Sequence, residues 1–292
     1  METSDWTYRQ GVFPKDREPA FAQADEMILS AMISKRDSAT RPVLVGLSGT
    51  QGSGKSTTAA RLVDKLAERG YRGATRSLDD FYLTRAERLH LAETVHPLLA
   101  TRGVPATHDM PLLCGTVDAL MRAETGERIG MPAFDKTTDD RVPKDRWPVF
   151  EGQADIILIE GWCVGARPQP EHHLIEPVND LEAREDEQGH WRAFVNSALA
   201  ADYSDFFARM DLSIMLAPPD FEQVFVWRNE QEAGLDRSAH GARPAMSAIQ
   251  LRRFIAHYER LTRWMIEDRP ANLVIGIDAT RKPVNWTWRR AV

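Results

Sequence analysis

Apolar positions along this chain follow two different periods. Short, nearly continuous apolar runs fall at 43–47, 155–160, 212–217 and 273–277, with a weaker one at 74–78. Runs of this length read as strands buried on both faces. Between them the apolar residues recur every three or four positions. Phe21, Ala24, Met27, Ile28, Ala31 and Met32 mark one helix, and Ala59, Leu62, Val63, Leu66 and Ala67 mark a second over 55–69. Further helices are predicted at 110–123, 191–199, 220–233 and 247–267. Thr84 with Glu87 and Ser247 with Gln250 have the spacing of capping boxes, which start helices. Residues 1–20 are polar and read as an arm, 95–109 and 130–150 as loops, and 165–190 as a surface loop. Trp286 and Trp288 alternate as in an edge strand or a packed arm. Five short strands alternating with helices predict an α/β fold. Its parallel five-stranded sheet would carry helices on both faces and bind its ligand at the carboxyl ends of the strands.

The first strand runs into the stretch Gly49, Thr50, Gln51, Gly52, Ser53, Gly54, Lys55, Ser56, Thr57. It fits G-x-x-x-x-G-K-[ST] at every fixed position, and the strand before it and helix after it are the context that motif requires. Glycines let the backbone wrap an anion, and the helix N-terminus adds unpaired N–H groups. Lys55 is placed to neutralise β- and γ-phosphates and Ser56 to ligate Mg²⁺.

Two acidic positions follow from the same geometry. The 74–78 strand delivers Asp79-Asp80-Phe81-Tyr82 next to the phosphates, where a carboxylate can take a proton from an attacking hydroxyl or hold Mg²⁺. The alternative is that the pair simply caps the following turn. The 155–160 strand ends in Glu160, an acidic partner for a metal in the Walker B position. Arg102, His108 and Asp109 stand out in the 95–109 loop, with Asp109 also a helix N-cap candidate. Lys136 and Arg141 stand out in the 130–150 loop, and Arg228, Arg237 and Arg243 cluster in and after the 220–233 helix.

Composition narrows the partners. A net charge of −6 on 292 residues argues against general nucleic-acid binding, though not against a local basic pocket for a small anion. The two cysteines, Cys114 and Cys163, form no metal-binding spacing and fit a reduced, cytoplasmic setting. No apolar run has the length of a membrane span or of a signal peptide.

Taken together, G-T-Q-G-S-G-K-S, S-L-D-D-F-Y-L-T, R-G-x-x-x-T-H-D, D-K-x-x-D-D-R and I-L-I-E-G-W resemble the D-glycerate 3-kinase family of plant and fungal type. That family belongs to the P-loop kinases, with phosphoribulokinase, uridine kinase and pantothenate kinase. The resemblance covers about 41–280 and implies a P-loop NTPase fold, with ATP and Mg²⁺ as cofactors and a small hydroxy acid as substrate. It assigns the base, or a metal ligand, to Asp79 rather than Asp80. It gives substrate contacts to Tyr82, Arg102, His108, Asp109, Lys136 and Arg141, and a lid role to Arg228. The implied organisation is an arm and helix over 1–40, then a kinase domain over 41–292 with substrate-binding insertions at about 95–150 and a lid at about 220–245. Asp135 stands where the family usually has Asn, and an added acid there is expected to weaken glycerate binding. Another acceptor (a nucleoside, pantothenate or another sugar acid) and a nucleotide switch without an acceptor are the alternatives.

Overall fold

The computed structural model describes residues 6–233 and 247–291. Its strands are β1 (Trp6–Val12), β2 (Val43–Gly49), β3 (Gly73–Ser77), β4 (Arg128–Gly130), β5 (Phe134–Asp135), β6 (Asp140–Arg141), β7 (Val149–Glu151), β8 (Ile156–Gly161), β9 (Leu212–Ala217), β10 (Leu273–Ile277) and β11 (Pro283–Ala291). Its helices are α1 (Arg17–Asp37), α2 (Lys55–Glu68), α3 (Arg85–Thr94), α4 (Met110–Arg122), α5 (Asp180–Glu185), α6 (His190–Ala198), α7 (Ser204–Phe207), α8 (Phe221–Ala233) and α9 (Ala248–Asp268).

The main sheet has the order β1-β11-β10-β9-β2-β8-β3. The five central and far-edge strands, β10 to β3 in that order, are mutually parallel and are the five that the apolar runs predict. The sheet is nevertheless seven strands wide, because β11 and β1 extend it as antiparallel neighbours. The polar 1–20 arm therefore contains an edge strand; having no neighbour on one side, it does not need the continuous apolar run of a central strand.

Alternate residues of the central strands feed two cores. Leu44, Ile157, Ile159 and Met215 pack against α4 and α9 through Leu113, Val117, Tyr258 and Leu261. Val43, Val45, Leu47, Ile156, Leu158 and Ile214 pack against α1 and α2 through Ile28, Leu29, Met32, Leu62 and Leu66. Asp25 of α1, only 4% exposed at its side chain, takes Arg61 at 2.6 Å and Lys65 at 2.7 Å from α2 and fixes the two helices together.

Both capping boxes form, at Thr84–Glu87 and Ser247–Gln250. The 165–190 stretch is not simply a surface loop. It holds α5, whose buried Glu182 receives Arg260 from α9 at 2.6 and 2.8 Å. The 130–150 stretch contains two small antiparallel ladders, β4–β7 and β5–β6. Of the expected lid, α8 is described; Arg237 and Arg243 lie outside the described residues. No described helix is long and apolar enough to cross a membrane.

Candidate active site

Strand β8 lies between β2 and β3, so three carboxyl ends converge. In register, Leu47 of β2 and Ser77 of β3 both face Glu160 of β8. The phosphate loop leaves β2 on one side of Glu160, and Asp79 follows β3 on the other.

The loop itself is built for close approach. Gly52 and Gly54 have φ of +75° and +88°, and a Cβ on Gly52 would lie 2.6 Å from Cβ of Trp227. Glycine relieves both constraints. Arg281 donates from Nε to the Gly52 carbonyl at 2.6 Å, while Trp227 donates from its indole nitrogen to Ala279 O at 2.8 Å. Helix α8 and the β10–β11 turn thus buttress the loop from outside. Within it, Thr50 Oγ1 and Ser53 Oγ are buried and have no hydrogen-bond partner. Buried polar groups are ordinarily satisfied, so these two hydroxyls are donors awaiting an acceptor. Gln51 is half-buried on the loop, and Thr57 is exposed on the first turn of α2.

Ser56 donates from Oγ to Glu160 Oε1 at 2.7 Å. The other oxygen, Oε2, is buried without a hydrogen bond, 4.0 Å from Lys55 Nζ. Across from this pair, Lys136 Nζ meets Asp79 Oδ2 at 2.5 Å and the Tyr82 hydroxyl donates to Asp79 Oδ1 at 2.8 Å. Burial alone would raise the Asp79 pKa, but the charges of Lys136 and Lys55 and these two hydrogen bonds hold the carboxyl well below its usual range. Asp80 is used differently. It accepts from Ser77 N at 3.2 Å in a capping box, and its carboxyl is raised by burial. The acidic pair is thus split between a cap and a group facing the cleft.

The turn carrying Asp79 is tied to the 107–109 segment by backbone hydrogen bonds, Asp109 N to Phe81 O at 2.7 Å and Leu83 N to Thr107 O at 2.9 Å. His108 is stacked on Tyr82 with ring centroids 4.6 Å apart, and both are almost fully buried. Its Nδ1 lies 2.7 Å from the Tyr203 hydroxyl, which already accepts from Ala106 N. The other ring nitrogen, Nε2, is buried with no hydrogen-bond partner among the described residues. Burial lowers the His108 pKa to about 4, so the ring is neutral near pH 7. Tyr203 ends the Leu199–Tyr203 segment, which is kinked at Ala201 (φ −99°, ψ −113°).

Arg141 and Arg102 lie near this turn, and each is paired with a carboxylate. Arg141 Nη2 binds Asp109 Oδ2 at 2.9 Å and Tyr82 O at 3.0 Å, while Asp109 also caps α4 through Leu112 N. Arg102 forms an ion pair with Asp139 and lies 5.5 Å from the Phe134 ring centroid. The Arg102 carbonyl accepts from the Tyr258 hydroxyl at 2.9 Å, and Trp162 holds the neighbouring Gly103 carbonyl at 2.8 Å. Burial raises the Tyr258 phenol above its usual range. Asp135 turns its carboxylate into its own loop, accepting from Thr137 N at 2.8 Å and from the Thr137 and Thr138 hydroxyls. Arg228 sits beside Trp227, pairs with Glu232 at 3.0 Å and stacks on Phe254.

Several of these neighbours carry no sequence signal. Arg88, 1% exposed, binds Leu83 O, Ala100 O and Asp139 O and holds the loops in place. Asp139, Tyr203 and Tyr258 reach the site from loops and helices whose patterns say only that they are exposed or apolar.

The model for the methylmalonyl Co-A mutase-associated GTPase MeaB matches residues 12–80, the portion that contains the phosphate loop. The uncharacterized kinase mug58 of Schizosaccharomyces pombe is 32% identical over 230 residues, covering 75% of this chain and 79% of that protein. The chloroplastic D-glycerate 3-kinase of Arabidopsis thaliana is 28% identical over 224 residues, 74% of this chain and 46% of that protein, so the chain spans about half the plant protein's length. The solved structure of D-glycerate 3-kinase from Cryptococcus neoformans var. grubii superposes with a TM-score of 0.74 at 26% identity, covering 93% of this chain and 98% of that one. A phosphate loop, two acidic strand ends and relatives that share most of the chain lead to one assignment: the chain belongs to the glycerate kinase family of P-loop kinases and is a small-molecule kinase, a phosphotransferase with an alcohol group as acceptor.

Proposed function

We propose that this kinase transfers the γ-phosphoryl group of MgATP to a hydroxyl of a small hydroxy acid, with D-glycerate as the acceptor. The observation that carries this reading is the pairing of Asp79 with Lys136 across the cleft from Ser56, Lys55 and Glu160. Asp79, held ionised, is assigned as the base that accepts the acceptor's hydroxyl proton. Lys55 and the loop N–H groups, with the Thr50 and Ser53 hydroxyls, would cradle the phosphates. Ser56 Oγ and the unpartnered Glu160 oxygen are hard oxygen donors suited to Mg²⁺. Among the described residues no cluster of three or more His, Cys, Asp or Glu forms a cage. A site of this kind would leave the remaining ligands to phosphate and water. The ion would neutralise charge on the transferring group.

The acid is favoured over a nucleoside by what is available in the pocket. Tyr82 and His108 stack on each other and are 3% and 4% exposed, so neither offers a face to a base. The Phe134 ring has Arg88 and Arg102 at 5.8 and 5.5 Å. Arg102 is instead the cation that could receive a carboxylate, bidentately, beside the Lys136–Asp79 pair. Asp135 keeps its charge but is turned into its own loop by Thr137 and Thr138. Residues 41–292 would then form the kinase unit, with about 95–150 shaping the acceptor side and Arg228 closing on the phosphates.

ADP release from MgATP, measured across a panel of hydroxy acids, nucleosides and pantothenate, tests the reading. Strong stimulation by D-glycerate is expected. Stimulation by a nucleoside or pantothenate alone would overturn the acceptor.

A further inference from the structure

The hairpin formed by β5 and β6 makes two ion pairs with the acceptor side, and their pattern is informative. Lys136 gives its ammonium to Asp79, and Asp139 gives its carboxylate to Arg102. The other cations nearby each bind backbone carbonyls as well as a carboxylate. Arg141 holds Asp109 and Tyr82 O, and Arg88 holds Asp139 at 3.1 Å together with three carbonyls. Among the described residues, Lys136 and Arg102 are paired through one carboxylate each, with no backbone carbonyl on the side chain. A hydroxy acid needs the same two groups, a carboxylate for its hydroxyl and a cation for its own carboxylate. The hairpin supplies from within the chain both contacts that the acceptor would make.

We infer that Lys136 and Asp139 are specificity-determining residues that hold Asp79 and Arg102 in exchangeable ion pairs, released by an acceptor carrying both a hydroxyl and a carboxylate. This rests on the proposed roles of Asp79 and Arg102. The physical basis is charge balance. When an acid replaces Asp139 on Arg102, one carboxylate exchanges for another, Asp139 keeps its pair with Arg88 at 3.1 Å, and the freed Lys136 can turn to solvent. A neutral polyol would have to leave Arg102 with its internal partner, and so gains nothing there. Water makes no charged contact with Arg102 and would release neither pair, so Lys136 would stay on Asp79. That would suppress the wasteful reaction in which water loses its proton to Asp79 while its oxygen attacks the γ-phosphorus and ADP departs.

The side-chain exposures fit exchange. Lys136 is 59% exposed and Asp79 24%, whereas Arg102 and Asp139 are 19% and 17% exposed. Both pairs sit at the rim and not in a sealed core. Asp139 has φ of +59°, a left-handed conformation that Asn adopts equally well. Asp139→Asn therefore removes the charge and keeps both the backbone and an oxygen for Arg88.

The test has two arms. In the first, Lys136→Met is assayed for ADP release from MgATP with no acceptor present. Release should rise about fivefold, the scale of one partly exposed ion pair. An unchanged rate, in a variant with wild-type thermal midpoint and ATP affinity, overturns the inference. In the second, Asp139→Asn is assayed with D-glycerate and with glycerol. KM for D-glycerate should fall by about the same factor with kcat held, and glycerol should be unaffected. A raised KM for D-glycerate would mean that Asp139 only shapes the loop, and would also overturn it. If wild-type enzyme ignores D-glycerate, the acceptor assignment fails, while the acceptor-free arm still reads the Lys136–Asp79 pair.

Discussion

Asp79 and Asp80 are adjacent and chemically identical, yet the turn they sit in gives them opposite uses. Asp80 folds back on Ser77 N, and Asp79 faces Lys136 and Tyr82. Asp79→Asn should therefore lower kcat by about 10²–10⁴-fold, the usual contribution of a positioned base, with ATP affinity nearly unchanged. Asp80→Asn keeps a capping oxygen and should leave kcat within a few-fold; steady-state kinetics on the two variants checks this. His108 gives a pH signature. Its folded pKa of about 4 lies below the ordinary 6.5, so the unfolded chain binds the proton more tightly. Its contribution to stability is complete above pH 6.5 and is lost as pH falls toward 4, with a slope of at most ~1.4 kcal/mol per pH unit. Denaturant midpoints should show that slope in wild type and a flatter acid limb in His108→Phe. At this scale the placement was legible where a motif fixes position, since Lys55, Ser56 and Glu160 do meet. It was not legible where a role depends on a partner far along the chain: nothing near Asp139 in sequence points to Arg102, 37 residues away.

Elements were legible in proportion to their local signals. Helices opened by Thr84 and Ser247 start where their caps stand, because a capping box satisfies the first backbone donors from within four residues. Helix α5 and the β5–β6 hairpin were not, since two-residue strands have no period and α5 is held by a residue 78 positions away. That distant contact is strong. Glu182 is fully buried against Arg260, which also binds His173 O and Glu176 O. Glu182→Ala would leave a buried guanidinium without its counter-charge and should cost about 3–5 kcal/mol in denaturant unfolding. Catalytic constants, far less dependent on α5, should change little in the folded fraction.

For the whole molecule, the alternation of apolar runs and helical stretches was enough to give the five parallel strands and the edge at which the site lies. The antiparallel β11 and β1 escaped because an edge strand carries a weaker apolar signature. The order of the strands has a further consequence during synthesis. Strand β2 carries the phosphate loop but pairs with β8 and β9, not with the strand that follows it in the chain. Until residue 217 has left the ribosome, the sheet lacks a side of its own centre. The nascent chain must carry α1, α2 and an incompletely paired apolar β2 through the making of more than half its length, a long window in which chaperones or wrong partners can engage it. A fragment ending at residue 205 should accordingly show no cooperative unfolding transition, whereas the 292-residue chain should show one.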